Sequence, residues 1–244
     1  DITAAWYAEP TTRYGHGILG DRIEAGALRV KLADGSLKSY RLPEYEVFED
    51  RTPRLVDLDG DGRTEIVTIR SSLALGASIA VFGLVENRLV ERAATPFIGR
   101  ANRWLNIAGI DHFSGGHTLE IAYVSTPHIG GTLHFVRYTA TGLVQVARLY
   151  GFSNHVIGSR EMRLSAVADV NGDGRSDLIL PSADRRSLRI IGFNGADLIE
   201  WARSPLPAPI DKAIDASGTG PELRIIVGLS NGRIYQVRNS LTRN

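Results

Sequence analysis

The sequence contains no cysteine. Disulfides, a thiolate nucleophile and cysteine-ligated zinc or iron–sulfur centres are therefore excluded. It also lacks an excess of either charge: 28 basic against 27 acidic side chains give a formal charge of +1 over 244 residues. That balance supplies no global attraction to nucleic acid or to an anionic membrane surface. No apolar run approaches the roughly 18–20 residues that a membrane-spanning helix needs. There is a single methionine. The HExxH, GxSxG and phosphate-loop patterns are missing too; GHGILGD has close glycines but no lysine, and it precedes strands rather than a helix. What the chain has is 26 glycines, 43% hydrophobic residues and many short valine- and isoleucine-rich segments. This is the composition of a turn-rich β protein with a real core.

Internal repeats organise the chain. Asp57 opens DLDGDGRTEIVTI and Asp169 opens DVNGDGRSDLILP, with oxygen-bearing residues at relative positions 1, 3, 5 and 9 and glycine at 4 and 6. Asp111 opens a degenerate copy, DHFSGGHTLEIAY, and Asp215 another, DASGTGPELRIIV. The starts are 54, 58 and 46 residues apart, the scale of a four-stranded propeller blade. An apolar strand enters each turn (RLVDL, NIAGI, SAVADV, KAIDA), a second leaves it, and a hairpin with a glycine-, asparagine- or aspartate-bearing tip follows. GALRVKLADGSLKSYRL, ahead of Asp57, makes a degenerate first unit. The expectation is an all-β, five-bladed β-propeller occupying residues 1–244 as one domain. Its last blade lacks an outer strand, which ITAAWYAEP at the N-terminus would supply, closing the ring and removing exposed edges. An open β-solenoid or a split sandwich is the alternative.

Asp57, Asp59, Asp61 and Glu65 place four carboxylates around a tight turn, and the carbonyl of Arg63 adds a fifth oxygen. Asp169, Asn171, Asp173, Asp177 and the carbonyl of Arg175 repeat the set with one neutral amide. Hard oxygen donors in this number suit calcium better than magnesium, which retains several waters. The expectation is two Ca²⁺ sites, with none at the broken loops. An acidic β-turn without an ion is the competing reading; two copies with matching glycines favour the ion.

DLDGDGRTEI and DVNGDGRSDL resemble the FG-GAP/VCBS repeats of integrin α-chain propellers and of exported bacterial proteins. FEDRTPRLVDLDGDG, ATPFIGRANRWL and the Ser153–His155 stretch are similar to an exported proteobacterial family of VCBS repeat-containing proteins. The resemblance implies a propeller fold, calcium and a periplasmic or secreted home, which agrees with a start at Asp1 rather than Met. It implies no particular activity.

Strand parity gathers the inter-blade loops and the loops after second strands at the face opposite the aspartate turns. His16, Arg103, Trp104, His128, His155 and Arg160 fall there, a set able to bind an anionic or sugar-like ligand. Taken singly, each is equally a hydrogen-bonded spacer or packing residue. The chain thus reads as a non-enzymatic binding module for a small molecule, glycan or protein, or as a subunit of a larger assembly. The alternative is an enzyme that uses His16, His128 and His155 as a metal site or as general acid and base.

Overall fold

The computed structural model describes residues 1–238. It is all-β apart from one short 3-10 turn at Gly220–Glu222. Among the described residues no helix is long and apolar enough to cross a membrane. Two compact units are formed: Asp1–Leu105 with Tyr138–Val144 and Ile157–Arg160, and the remainder of the chain.

The first unit holds eight strands in one hydrogen-bonded sheet. β1 (Ile2–Thr11), β2 (Glu24–Leu32) and β3 (Leu37–Arg41) form an antiparallel set with β2 in the middle. β4 (Glu46–Phe48) and β5 (Arg54–Val56) lie end to end along one edge of β6 (Glu65–Ser72), and β7 (Gly76–Val85) and β8 (Arg88–Ala94) follow on its other side. β6 and β7 are buried along nearly their whole length, because both edges are paired and both faces covered. The β3 edge alternates between exposed and half-buried. Leu28, Val30, Phe48, Ile66 and Phe82 make the core between the two halves of this sheet. Phe82 is its hub, with edge-on contacts to Tyr40 at 4.9 Å and Phe48 at 5.7 Å.

The remaining strands form three sheets, in the first of which Leu105 and the hairpin tip Tyr138–Val144 belong to the first unit. β9 (Leu105–Asp111) to β12 (Gly142–Phe152), with β10 (Glu120–Ser125) and β11 (Gly131–Thr139) between them, form a four-stranded meander. β13 (Ala166–Ala168), β14 (Asp177–Pro181), β15 (Ser187–Asn194) and β16 (Asp197–Pro205) form the next. β17 (Ile210–Ser217), β18 (Arg224–Leu229) and β19 (Ile234–Arg238) form a three-stranded last sheet. Phe113, Phe135, Phe152, Leu178 and Phe193 fill the space between the first and second of these sheets. Leu164, Ile179, Ile190, Ile210 and Ile225 fill that between the second and third. Sheets built from consecutive strands and stacked face to face in chain order are propeller architecture.

The strand-turn-strand-hairpin outline expected of each repeat is present in β5–β8, β9–β12 and β13–β16. The N-terminal strand differs from expectation. β1 pairs antiparallel with β2 from Ile2↔Leu32 to Thr11↔Glu24, rather than supplying the outer strand of the last sheet. The physical reason is proximity in sequence. The connection between β1 and β2 is residues 12–23, and closing that short loop costs less chain entropy than a pairing with the far end. β1 thus belongs to its own hairpin-like set, and among the described residues the last sheet has three strands.

Candidate functional site

The aspartate loop after β5 is built by its first residue. Asp57 accepts hydrogen bonds from the backbone N–H groups of Gly60 (2.8 Å), Asp61 (3.1 Å) and Gly62 (2.9 Å). That wrap requires Gly60 and Gly62 at φ of 75° and 82°, the left-handed region that glycine enters without penalty. Carboxylate oxygens of Asp57, Asp59 and Asp61 come within 4.8 Å of one another. Glu65, 3% exposed at the start of β6, accepts the Leu58 N–H at 3.0 Å. Burial pushes its carboxyl up; the Leu58 bond opposes this, and the three aspartates add to the rise.

The loop after β13 repeats the same wiring. Asp169 accepts from Gly172 (2.7 Å), Asp173 (3.1 Å) and Gly174 (3.0 Å), with Gly172 and Gly174 at φ of 75° and 86°. Asp177, 2% exposed, takes the place of Glu65 and accepts the Val170 N–H at 2.9 Å and the Trp201 indole N–H at 2.8 Å. Burial above all pushes its carboxyl up to about 6, with the neighbouring aspartates adding to what the two N–H donors oppose. Gly192 faces Asp177 across the β14–β15 pair. A methyl group there would lie 1.8 Å from the Asp177 carboxylate and 2.3 Å from the Trp201 nitrogen. The glycine makes room for that bond.

The degenerate third loop shows what happens when the ligand set is broken. Glu120 stands where Glu65 and Asp177 stand, at the start of the strand leaving the turn, and is 1% exposed. It accepts the N–H groups of Phe113 (2.9 Å) and Ser114 (3.2 Å) and the Ser114 hydroxyl (2.6 Å). Its cross-strand partner is Arg137, whose guanidinium bonds the Glu120 carboxylate through Nε at 3.0 Å and again through Nη2. In the two full loops the register, continued one residue past Ile66↔Phe82 and Leu178↔Ile191, brings the facing position to glycine, Gly83 and Gly192. Among the described residues, no lysine or arginine takes that role at Glu65 or Asp177. In the fourth copy, Asp215 sits inside β17 opposite Ile226 and opens no turn. Of the donors expected from the sequence, the carboxylates of Asp57, Asp59 and Asp61 come within reach of one cation, while Glu65 and Asp177 each accept a backbone N–H at the strand start.

The residues assigned to the opposite loop ends group within their own units. In the first unit His16 Nδ1 bonds Glu49 at 2.7 Å, and Glu49 is fully buried. Trp104 is 2% exposed, and its indole N–H donates to the Glu49 carbonyl at 3.0 Å. Arg103 donates to the Asn102 carbonyl. Arg160 forms an exposed 2.5 Å ion pair with Asp21. In the second unit His128 Nε2 and His155 Nδ1 are 3.0 Å apart, so one donates and the other accepts. His155 is fully buried beside the equally buried Ser153 and Asn154. Arg185 Nη1 donates to Ser153 Oγ at 3.2 Å.

One group of residues in the first unit escaped the sequence reading. Asp50, 8% exposed, accepts from Arg54 (2.6 Å), the Tyr7 hydroxyl (3.0 Å) and the Ile69 N–H (3.1 Å). Glu49 accepts from Ser71 besides His16. Glu24 lies near both, 6% exposed. The signal was the FED run itself, acids directly after an apolar strand, where a turn is the default inference.

No protein-family model and no curated protein matches this chain. Among solved structures it is similar to BBS1N, a β-propeller, in complex with ARL6DN. The mercury-soaked crystal matches with a TM-score of 0.54 and 12% identity over 90% of this chain and 61% of that one. The lead-soaked crystal gives 0.49 and 14% over 77% and 53%. The chain thus spans 53% to 61% of the length of those structures. With the stacked sheets, the first of these matches defines the class: an all-β, β-propeller-like protein. At this identity the likeness concerns fold alone.

Proposed function

We propose that the chain is a calcium-stabilised propeller of the FG-GAP/VCBS type, working as a non-enzymatic interaction module. The observation that carries the reading is the contrast between Arg137 and the glycines in its place. A buried carboxylate that stays ionised needs a compensating cation or hydrogen-bond donors. In the broken loop the protein supplies one as Arg137 on Glu120. In the two intact loops the facing residue is glycine, and the turn brings further carboxylate and amide oxygens near the acid instead. Calcium is the cation that such an oxygen set selects. Short acidic loops of this kind suit the high calcium levels outside the cytoplasm, in keeping with a periplasmic or secreted location.

A partner role draws support from the fold, since BBS1N in the similar structures is held in complex with ARL6DN. For this chain the partner surface is proposed at the loop ends of the first unit bearing His16, Arg103 and Arg160. The bonded pair His128–His155 favours a second reading, acid/base or metal chemistry. A transition metal retained after purification and lost in His128→Ala would support it. The primary reading is tested by thermal unfolding with calcium and with excess chelator. Calcium should raise the melting temperature, and Asp59→Ala and Asp173→Ala should each remove part of the rise. An unchanged melting temperature on chelation refutes it.

A further inference from the structure

We infer that the first unit carries a separate binding site for a primary alkylammonium group, with Glu24 as its anionic end. Glu24 opens β2, is 94% buried by its 6% exposure, and its Oε1 has no hydrogen-bond partner. The acids around it are already committed. Asp50 is held by Arg54, Tyr7 and the Ile69 N–H, and Glu49 by His16 and Ser71. Glu24 is thus the acceptor left over in a strongly negative neighbourhood. It lines a cleft of about 230 Å³ whose other walls include Tyr7, Ala8, Pro10, Ile23 and Phe48.

Those walls fit a short aliphatic stem, and the carboxylate at its end fits a cation. An anion would meet Glu24, Glu49 and Asp50 together. A divalent metal would need six or more oxygens, and the neighbouring carboxylates are occupied. An ammonium on a flexible stem, from a lysine side chain or a free amine, satisfies what remains. The site does not depend on the calcium reading.

Without ligand, burial pushes the Glu24 carboxyl up to about 9, and the facing charges of Glu49, Asp21 and Asp50 add to it. Tyr14, facing the same acids, is pushed up to about 12 and stays neutral over this range. Capture of an ammonium stabilises the carboxylate, so the Glu24 proton is released to solvent on binding. The test uses the full chain and n-butylammonium chloride at constant ionic strength, followed by amide NMR and by calorimetry in two buffers of different ionisation heat. Saturable shifts at Ile23 and Ala25, proton release near neutral pH, and affinity rising about tenfold per pH unit between pH 7 and 8 are expected. Glu24→Gln, nearly isosteric, should weaken binding at least about tenfold. The proton release is read on the unaltered chain, so the test survives a variant that fails to fold. Equal binding by Glu24→Gln, binding without proton release, or saturation of these amides by calcium alone would overturn the inference.

Discussion

Arg137→Met removes the cation from the broken loop while keeping most of the aliphatic stem. Glu120 is 1% exposed and Arg137 36%. Breaking a fully buried pair costs about 3–5 kcal/mol and an exposed one about 0–1 kcal/mol. Here the arginine is partly solvated, and the donors from Phe113 and Ser114 stay on Glu120. Those features place the cost between the limits, at about 2 kcal/mol. In a chain of this size that is a drop of about 4–8 °C in melting temperature. Urea unfolding of both proteins, extrapolated linearly, measures it. Removing the stranded charge as well, in Glu120→Gln/Arg137→Met, should restore most of the loss, because the penalty belongs to an uncompensated carboxylate. Added calcium should not restore it, since this loop lacks the ligand set. A loss below about 0.5 kcal/mol, the size of an ordinary surface change, would show that Arg137 is not acting as the cation of this loop and would remove the contrast on which the calcium argument rests.

Further outcomes follow from the same geometry. Gly192→Ala must push the Asp177 carboxylate off Trp201, costing about 3 kcal/mol and shifting tryptophan emission, whereas Gly83→Ala meets only the flexible Arg92 stem at 3.3 Å and should cost under about 1 kcal/mol; equal costs would refute the spatial argument. Glu24 is protonated more readily folded than unfolded, so its contribution is complete below its ordinary value of 4.5 and is lost as pH rises toward about 9. The melting temperature of Glu24→Gln relative to the unaltered chain should therefore rise between pH 5 and 9, and a flat difference would contradict the burial of an acid there. Deleting residues 1–12 strips β1 from β2 and bares an edge beside the buried Ala27, Leu28 and Val30. Aggregation by size-exclusion chromatography is expected, and a monomer with unaltered melting would contradict it.

The repeats were legible because their signals are local. Glycine at loop positions 4 and 6 meets a φ requirement, and each strand and hairpin tip lies within a few residues of that turn. The partner of β1 was not legible: alternation in ITAAWYAEP suits any open edge, and only the three-dimensional competition for edges assigns it to β2. Nor was the split of one edge into β4 and β5, where Glu49 to Pro53 interrupt the line along β6. At the site, the ligand spacing of the two full loops could be read directly. The compensation of Glu120 by Arg137 could not, because it depends on register across β10 and β11. The burial of Glu24, Glu49 and Asp50 contradicts the ordinary preference of acids for water and arises from tertiary packing. Trp104 and His155 were placed in the right loops, but whether a loop side chain turns inward is settled only by its hydrogen bonds, here to Glu49 and His128.

Calorimetric titration of chelator-treated protein with calcium tests the central claim most directly. Two bound ions per chain are predicted, with one lost in Asp59→Ala and the other in Asp173→Ala. Titration without saturable heat, or with stoichiometry untouched by both substitutions, would contradict it.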